Sequence, residues 1–102
     1  MTTEERQILT RTRALLARGW TQHNYAVRVD GQAVNWRQAN ACSFCLAGGL
    51  LSASYHINHA YELDDLVKLV GFDGVEEATD WNDSPERTQE EVLDRIDKKL
   101  AE

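Results

Sequence analysis

Two cysteines and two histidines stand in an order that could bind a metal ion. Two residues separate Cys42 from Cys45, two separate His56 from His59, and ten lie between the pairs. Side chains three residues apart share one face of a helix, so each pair could converge on a tetrahedral zinc ion. Zinc fingers, however, usually place about twelve or more residues between their pairs. We therefore favour reduced thiols and surface histidines over a zinc site, and we expect no metal and no other cofactor.

The same residues suggest a second chemistry, hydrolysis through a cysteine nucleophile. The chain contains each group that this mechanism needs, namely a nucleophile, a base, a group that orients the base and a donor to the oxyanion: Cys45, His56 or His59, Asn82 or Asp83, and Gln22. Cys45 lies in an uncharged, apolar segment, which should raise the pKa of its thiol. We expect a buried structural thiol at this position and predict no catalytic residue.

The segment that starts at Trp81 suggests a binding site. It places an aromatic ring beside short polar side chains, as in interface hot spots, although the same residues could instead fill the core and hydrogen-bond a turn. Arg87 could pair with Asp83 or Glu91. The candidate binding residues are those of this turn and the charged positions of the helix after it: Trp81, Asn82, Asp83, Arg87, Glu90, Asp94 and Asp97.

Five local patterns predict the elements that position these residues. Thr2 or Thr3 caps a helix that stops at Gly19, period-two alternation from Tyr25 to Val29 predicts a strand, and Asp30-Gly31 turns it toward Val34 and Trp36 as a β-hairpin. An apolar helix is expected over 41–54, a third helix over 63–70, and a last one from the capping box of Thr88 and Glu91. The connector 72–80 is acidic, and a helical turn could form at 75–78. The predicted fold is α+β and mostly helical, with about four helices around a central apolar helix and one hairpin.

Glycines in the central helix predict a close contact. Gly48 and Gly49 reduce helix propensity, and their expected use is to let another backbone, such as the hairpin, approach.

Length and charge limit the classes of function. A chain of 102 residues predicts a single domain over 1–102. The net charge of −6 is unevenly distributed, because residues 1–37 carry six arginines against three acids, whereas residues 62–102 carry fourteen acids against five basic side chains. We therefore expect no direct nucleic-acid binding. Without a secretory signal or a membrane-length apolar segment, we expect a cytoplasmic protein.

Two motifs carry a resemblance to a known family. Cys45-Leu46-Ala47-Gly48-Gly49-Leu50 and the run from Trp81 to Leu93 resemble a family of small uncharacterised proteins from bacteria and their phages. Its motifs are W-C-x-x-G-A-L and W/F-N-D-x-P-x-R-T-x-x-E-V-L. The chain departs from the first at Phe44, where the family usually has Trp, and at Gly49, where it usually has Ala. The resemblance implies fold and lineage; the family has no established activity or catalytic residues to carry over to this chain.

Together these patterns favour a binding function. We expect a non-enzymatic protein-binding module that belongs to a phage or mobile element. It would serve as an accessory or anti-defence inhibitor, and it would act through an acidic surface on a host or defence protein. The alternatives are the cysteine hydrolase and the small zinc-binding domain. Neither the partner nor the oligomeric state follows from the sequence.

Overall fold

Five helices and one pair of short strands make up the computed structural model, which describes all of residues 1–102. In chain order they are α1 (Thr3–Arg18), β1 (Ala26–Val27), β2 (Ser43–Phe44), α2 (Leu46–Ile57), α3 (Leu63–Leu69), α4 (Val75–Asn82) and α5 (Gln89–Leu100). The predicted class, a mostly helical α+β fold, is confirmed. None of the helices is long and apolar enough to cross a membrane.

The helix ends follow the capping signals in the sequence. Thr2 and Glu5 form a capping box at the start of α1, and Thr88 and Glu91 form one at the start of α5. In each, the threonine hydroxyl accepts from the third backbone N–H while the glutamate accepts from the threonine N–H. Gly71 follows α3 with a φ of +91°, a left-handed conformation that glycine adopts readily.

The central helix α2 begins later than predicted, at Leu46 instead of residue 41. Phe44 belongs to a strand because its N–H donates to the Gly19 carbonyl at 3.0 Å and its carbonyl accepts from Thr21 N–H at 3.0 Å. Cys45 then becomes the N-cap residue of α2. The helix continues to Ile57, three residues beyond the predicted end at Ser54.

The hairpin is paired differently from the prediction. The turn at Asp30-Gly31 forms, with Gly31 at φ +86°, and Val27 bridges to Ala33 across it. The strand that pairs with β1 is nevertheless β2, antiparallel, with Ala26 opposite Phe44. Ala26 and Val27 are both buried, so β1 lies between neighbours on both faces instead of forming one side of an exposed hairpin.

Part of the expected acidic connector is a complete helix. α4 covers Val75–Asn82, and it therefore contains Trp81 and Asn82, which were predicted to lie in a turn. Glu76 and Glu77 occupy its first turn, where the helix dipole favours negative charge. Asp83 ends the helix, and its N–H donates to the Thr79 carbonyl at 2.9 Å.

The core forms around α2, which packs against α1, α3, α4 and β2. Its fully buried side chains include Leu50 from α2, Ile8 from α1 and Ile96 from α5. Gly48 confirms the predicted close approach, since a Cβ added there would lie 1.9 Å from the Tyr25 carbonyl oxygen. The backbone just before β1 therefore rests directly on α2.

Polar contacts join the first helix to the last. The Arg6 guanidinium donates to the Leu100 carbonyl at 2.6 Å, and Arg13 pairs with Asp97 through Nε at 3.0 Å. At the other end of α5, the Gln89 side-chain amide donates to the Leu16 carbonyl at 2.7 Å. α1 and α5 are thus joined along most of their lengths.

Candidate functional site

Asn82 lies at the centre of a buried polar junction beside the start of α2. Its side chain is almost completely inaccessible, with 1% exposure. Its Oδ1 accepts from the Trp20 indole Nε1–H at 2.8 Å and from the Leu46 backbone N–H at 3.0 Å. Leu46 is the first residue of α2, so Asn82 satisfies one of the N–H groups that a helix leaves unpaired at its start.

The same junction holds the loop that follows α1. Asn82 Nδ2 donates to the Thr21 carbonyl at 3.2 Å and to Asp83 Oδ1 at 2.9 Å. Asp83 Oδ1 also accepts from the His23 N–H at 3.0 Å. His23 has a φ of +73°, an uncommon conformation for a residue with a side chain, and this bond helps to hold it.

Gln22 completes the junction instead of facing an open site. Its side-chain amide donates to the Asn82 carbonyl at 3.0 Å and to the Ser84 carbonyl at 2.7 Å. Two carbonyl acceptors therefore engage the amide that was considered as a donor to an oxyanion. No buried side-chain nitrogen or oxygen in the chain lacks a hydrogen-bond partner.

Cys45 is a capping residue with a protonated thiol at neutral pH. The sulfur accepts from the Gly48 N–H at 3.3 Å. Burial, the largest cause, raises the pKa of the thiol to about 11, and the nearby Asp83 carboxylate adds to the effect. The predicted direction of the shift is confirmed, although Cys45 lies at the start of the helix and not inside it. The helix start does not activate this thiol because desolvation outweighs the N–H bond.

The two histidines that were candidate bases for Cys45 lie at the C-terminal end of α2, whereas Cys45 lies at its N-terminal end. His56 is eleven residues after Cys45, which corresponds to about 16 Å along a helix. His59 follows the end of α2, and both imidazoles lie beside Tyr55 with ring centroids 5.7 Å away. The structure therefore does not bring either histidine to the Cys45 sulfur. The histidine near Asp83 is His23, whose Nδ1 is 3.7 Å from Oδ2, and the sequence alone did not indicate it.

The separation applies equally to the four candidate zinc ligands. Cys45 is buried and Cys42 is exposed, and Cys45 and His56 lie at opposite ends of α2. No group of three or more His, Cys, Asp or Glu side chains has an arrangement that could hold a metal ion.

Trp81 and Arg87 form an aromatic and cationic stack that closes the end of α4. The Arg87 guanidinium lies 4.1 Å from the Trp81 ring centroid, and its Nε donates to the Trp81 carbonyl at 2.8 Å. Arg87 also pairs with Glu91 at 3.2 Å, one of the two pairings that the sequence suggested. On the inner side, Trp81 packs against Phe72 with centroids 5.5 Å apart. These contacts give Trp81 and Arg87 a packing role.

The acidic candidates on α5 are mostly paired within the chain. Asp97 binds Arg13 on α1 through both carboxylate oxygens, and Asp94 pairs with Lys98 at 3.0 Å. Glu90 is exposed and makes no ion pair. Of the predicted binding residues on this helix, Glu90 is therefore the one whose charge is fully available to a partner.

A larger set of unpaired carboxylates lies on α3, α4 and the corner between them. We call it the acidic surface, and it consists of Glu62, Asp64, Asp65, Asp73, Glu76, Glu77 and Asp80. All seven side chains are exposed, Lys68 is the only basic residue between positions 62 and 80, and none of the seven forms an ion pair. The sequence showed the charge excess but not which carboxylates are paired, since the Asp97–Arg13 pair depends on how α1 packs against α5.

These observations define a small, mostly helical α+β protein with a buried asparagine junction and a separate acidic surface. The chain belongs to the family of unknown function DUF6197, whose model matches residues 1–99. No curated protein and no solved structure gives a significant match.

Proposed function

We propose that this protein is a non-enzymatic binding module that attaches to a basic surface of another protein through its acidic surface. The observation that supports this most is the absence of ion pairs among the seven carboxylates. Repulsion among unpaired like charges opposes folding, and a basic partner would relieve that repulsion.

The contact proposed here is centred on α4 and not on α5. Glu76, Glu77 and Asp80 are exposed, whereas Asp94 and Asp97 already have basic partners within the chain. Glu90 could extend the contact across the start of α5. Trp81, Asn82, Asp83 and Arg87 act indirectly in this proposal, because their contacts fix α4 against the start of α2.

The biological setting remains that suggested by the resemblance. In this proposal the protein is a cytoplasmic accessory of a phage or mobile element, and its partner is a host or defence protein. An acidic surface competes effectively where the partner's basic surface itself binds an anion such as nucleic acid. Blocking that surface would make the protein an anti-defence inhibitor.

The test is a pull-down from host lysate with two variants of matched net charge. Glu76→Gln, Glu77→Gln and Asp80→Asn together remove three negative charges from α4. Gln7→Lys, Thr10→Lys and Ala14→Lys add three positive charges at exposed positions of α1. We expect one partner that is retained by the wild type and the α1 variant, lost by the α4 variant, and released by salt.

Two results would contradict the proposal. If no protein is enriched, there is no stable partner in that host. Equal capture by the α4 variant would mean that the partner binds elsewhere. Circular dichroism of the three proteins shows that any loss is not due to unfolding.

A further inference from the structure

An aromatic cavity lies at the C-terminal end of α2, the end opposite to Cys45 and the Asn82 junction. Its walls include Trp36, Arg37, Leu51, Tyr55, His59 and Tyr61, and its volume is about 290 Å³. Trp36 meets Tyr55 edge to face with ring centroids 5.7 Å apart, and the His59 ring lies 5.7 Å from Tyr55 at a tilt of 40°.

This cavity lies in the part of the chain that lacks acidic side chains. No Asp or Glu occurs between Gly31 and Tyr61, although the whole chain has a net charge of −6. Arg37 is the only Lys or Arg in that span. The nearby carboxylate is Glu4, which accepts from the Tyr61 hydroxyl at 2.8 Å and from Asn58 Nδ2 at 3.1 Å. Because Arg37 is the only charged side chain in this span, and because Glu4 already accepts two hydrogen bonds, the cavity favours an anionic ligand over a cationic one.

Arg37 retains hydrogen-bonding capacity toward such an anion. It forms no ion pair, and its one side-chain bond is from Nη2 to the Tyr55 hydroxyl at 2.8 Å. That bond holds the guanidinium at the cavity, 4.6 Å from the Tyr55 ring centroid. A guanidinium has five N–H donors, so several remain for a phosphate.

We propose that the cavity binds a nucleoside monophosphate, with the base stacked on Trp36, its edge toward Tyr55, and the phosphate on Arg37. Aromatic rings bind bases through stacking, which tolerates any base because each presents a flat face. His59 supplies a further ring nitrogen at the rim. The volume lies just below the usual range of about 300 to 1,000 Å³ for ligand sites, which suits one nucleotide and not a dinucleotide.

The surroundings favour a free nucleotide over a nucleic-acid chain. Glu62, Asp64 and Asp65 follow Tyr61 directly and are all exposed. A polynucleotide that continued past the cavity on this side would bring its next phosphates toward these carboxylates, and like charges repel. One phosphate on Arg37 avoids that cost.

Isothermal titration calorimetry of the whole protein tests this directly. The four ribonucleoside 5′-monophosphates are the ligands, with adenosine, inorganic phosphate and a short single-stranded oligonucleotide as comparisons. We expect saturable one-to-one binding of at least one monophosphate, weakened roughly tenfold when either the base or the phosphate is absent. Arg37→Ala should weaken binding by a similar factor, and Tyr55→Ala should also weaken it.

The matched control is Arg11→Ala, which removes an exposed arginine from α1 and should leave the affinity unchanged. Absence of binding for all four nucleotides up to about 1 mM would overturn the proposal. Equal affinity in Arg37→Ala and the wild type would overturn the assigned site. Tighter binding of the oligonucleotide than of every monophosphate would overturn the choice of a free nucleotide. Arg37 and Tyr55 are both exposed, so circular dichroism is expected to show folded variants.

Discussion

The two ends of α2 differ in almost every physical respect. At its N-terminal end, Asn82, Cys45 and Gly48 are buried and each makes close contacts with the backbone of another segment, Cys45 through its N–H to the Tyr25 carbonyl. At its C-terminal end, Tyr55 and His56 are exposed, and the nearby rings surround a cavity. The segments that carry the family resemblance include the first end and not the second.

This difference separates residues that maintain the fold from surfaces that are available for binding. An Asn, a Cys and an Asp near one another suggest catalysis, but here each polar group is engaged in positioning a loop or a helix start. The C-terminal end of α2 has side chains with free hydrogen-bond donors, above all the Arg37 guanidinium. Substitutions at the two ends should therefore affect different measurements.

The largest effect is expected for Gly48→Ala. The added Cβ would meet the Tyr25 carbonyl oxygen at 1.9 Å, so the chain before β1 must shift or α2 must distort. We expect a loss of more than about 3 kcal/mol in the free energy of unfolding, measured by urea denaturation. Gly49→Ala is the control, because its Cβ would meet the flexible Leu16 side chain at 3.0 Å and alanine favours the helix. Equal losses in both variants would show that the Tyr25 contact is not the cause.

Asn82→Ala should have the next largest effect. It leaves the Leu46 N–H and the Trp20 indole N–H without their acceptor in a buried site. We expect a loss of about 3 kcal/mol, since each unpaired buried group is costly. Glu90→Ala, at an exposed and unpaired position, should change stability by less than about 0.5 kcal/mol. A small effect at Asn82 would mean that water can replace its side chain.

The raised pKa of Cys45 predicts that the free energy of unfolding falls at alkaline pH. Its folded-state pKa of about 11 is above the ordinary value of 9.0, so the folded state holds the proton more tightly than the unfolded state. The stability that this provides is complete below pH 9 and is lost as the pH rises through 11, with a total of roughly 2 to 3 kcal/mol.

Cys45→Ser is the control for this pH dependence, because serine caps helices well and does not ionise in this range. Thermal unfolding of both proteins between pH 8 and 11 isolates the thiol from the other groups that titrate there. Parallel curves for the two proteins would contradict the assignment.

The smallest effect on stability is expected at the C-terminal end of α2. His56→Ala removes an exposed side chain that makes no hydrogen bond to the rest of the chain. We expect a change within about 0.5 kcal/mol in urea denaturation. A loss as large as that of Asn82→Ala would remove the distinction between the two ends.

The parts of the fold that the sequence predicts are those with short-range signals. The capping boxes at Thr2 and Thr88 lie within three residues of their partners, and Gly71 directly follows the helix that it ends. The close approach at Gly48 was also predictable, because glycine in an apolar helix implies a neighbouring backbone.

The start of α2 was not predictable in this way. An apolar run does not distinguish a strand from a buried helix, and Phe44 is a strand residue because it pairs with Gly19 and Thr21. The candidate site depends on equally distant contacts. Asn82 is a structural residue because Trp20, sixty-two positions earlier, donates to it. No local pattern contains that information.

The contacts between α1 and α5 have a consequence for synthesis of the protein. Arg13 and Asp97 are 84 residues apart, and Arg6 and the Leu100 carbonyl are 94 apart. Such distant pairs slow folding, because a long loop must close before the contact forms. While α5 is still inside the ribosome, the part of the buried face of α1 that packs against α5 is uncovered, although α2 can already cover the rest. The emerging chain therefore exposes those side chains of α1 until α5 has emerged as well, and a nascent-chain chaperone would find its binding surface there.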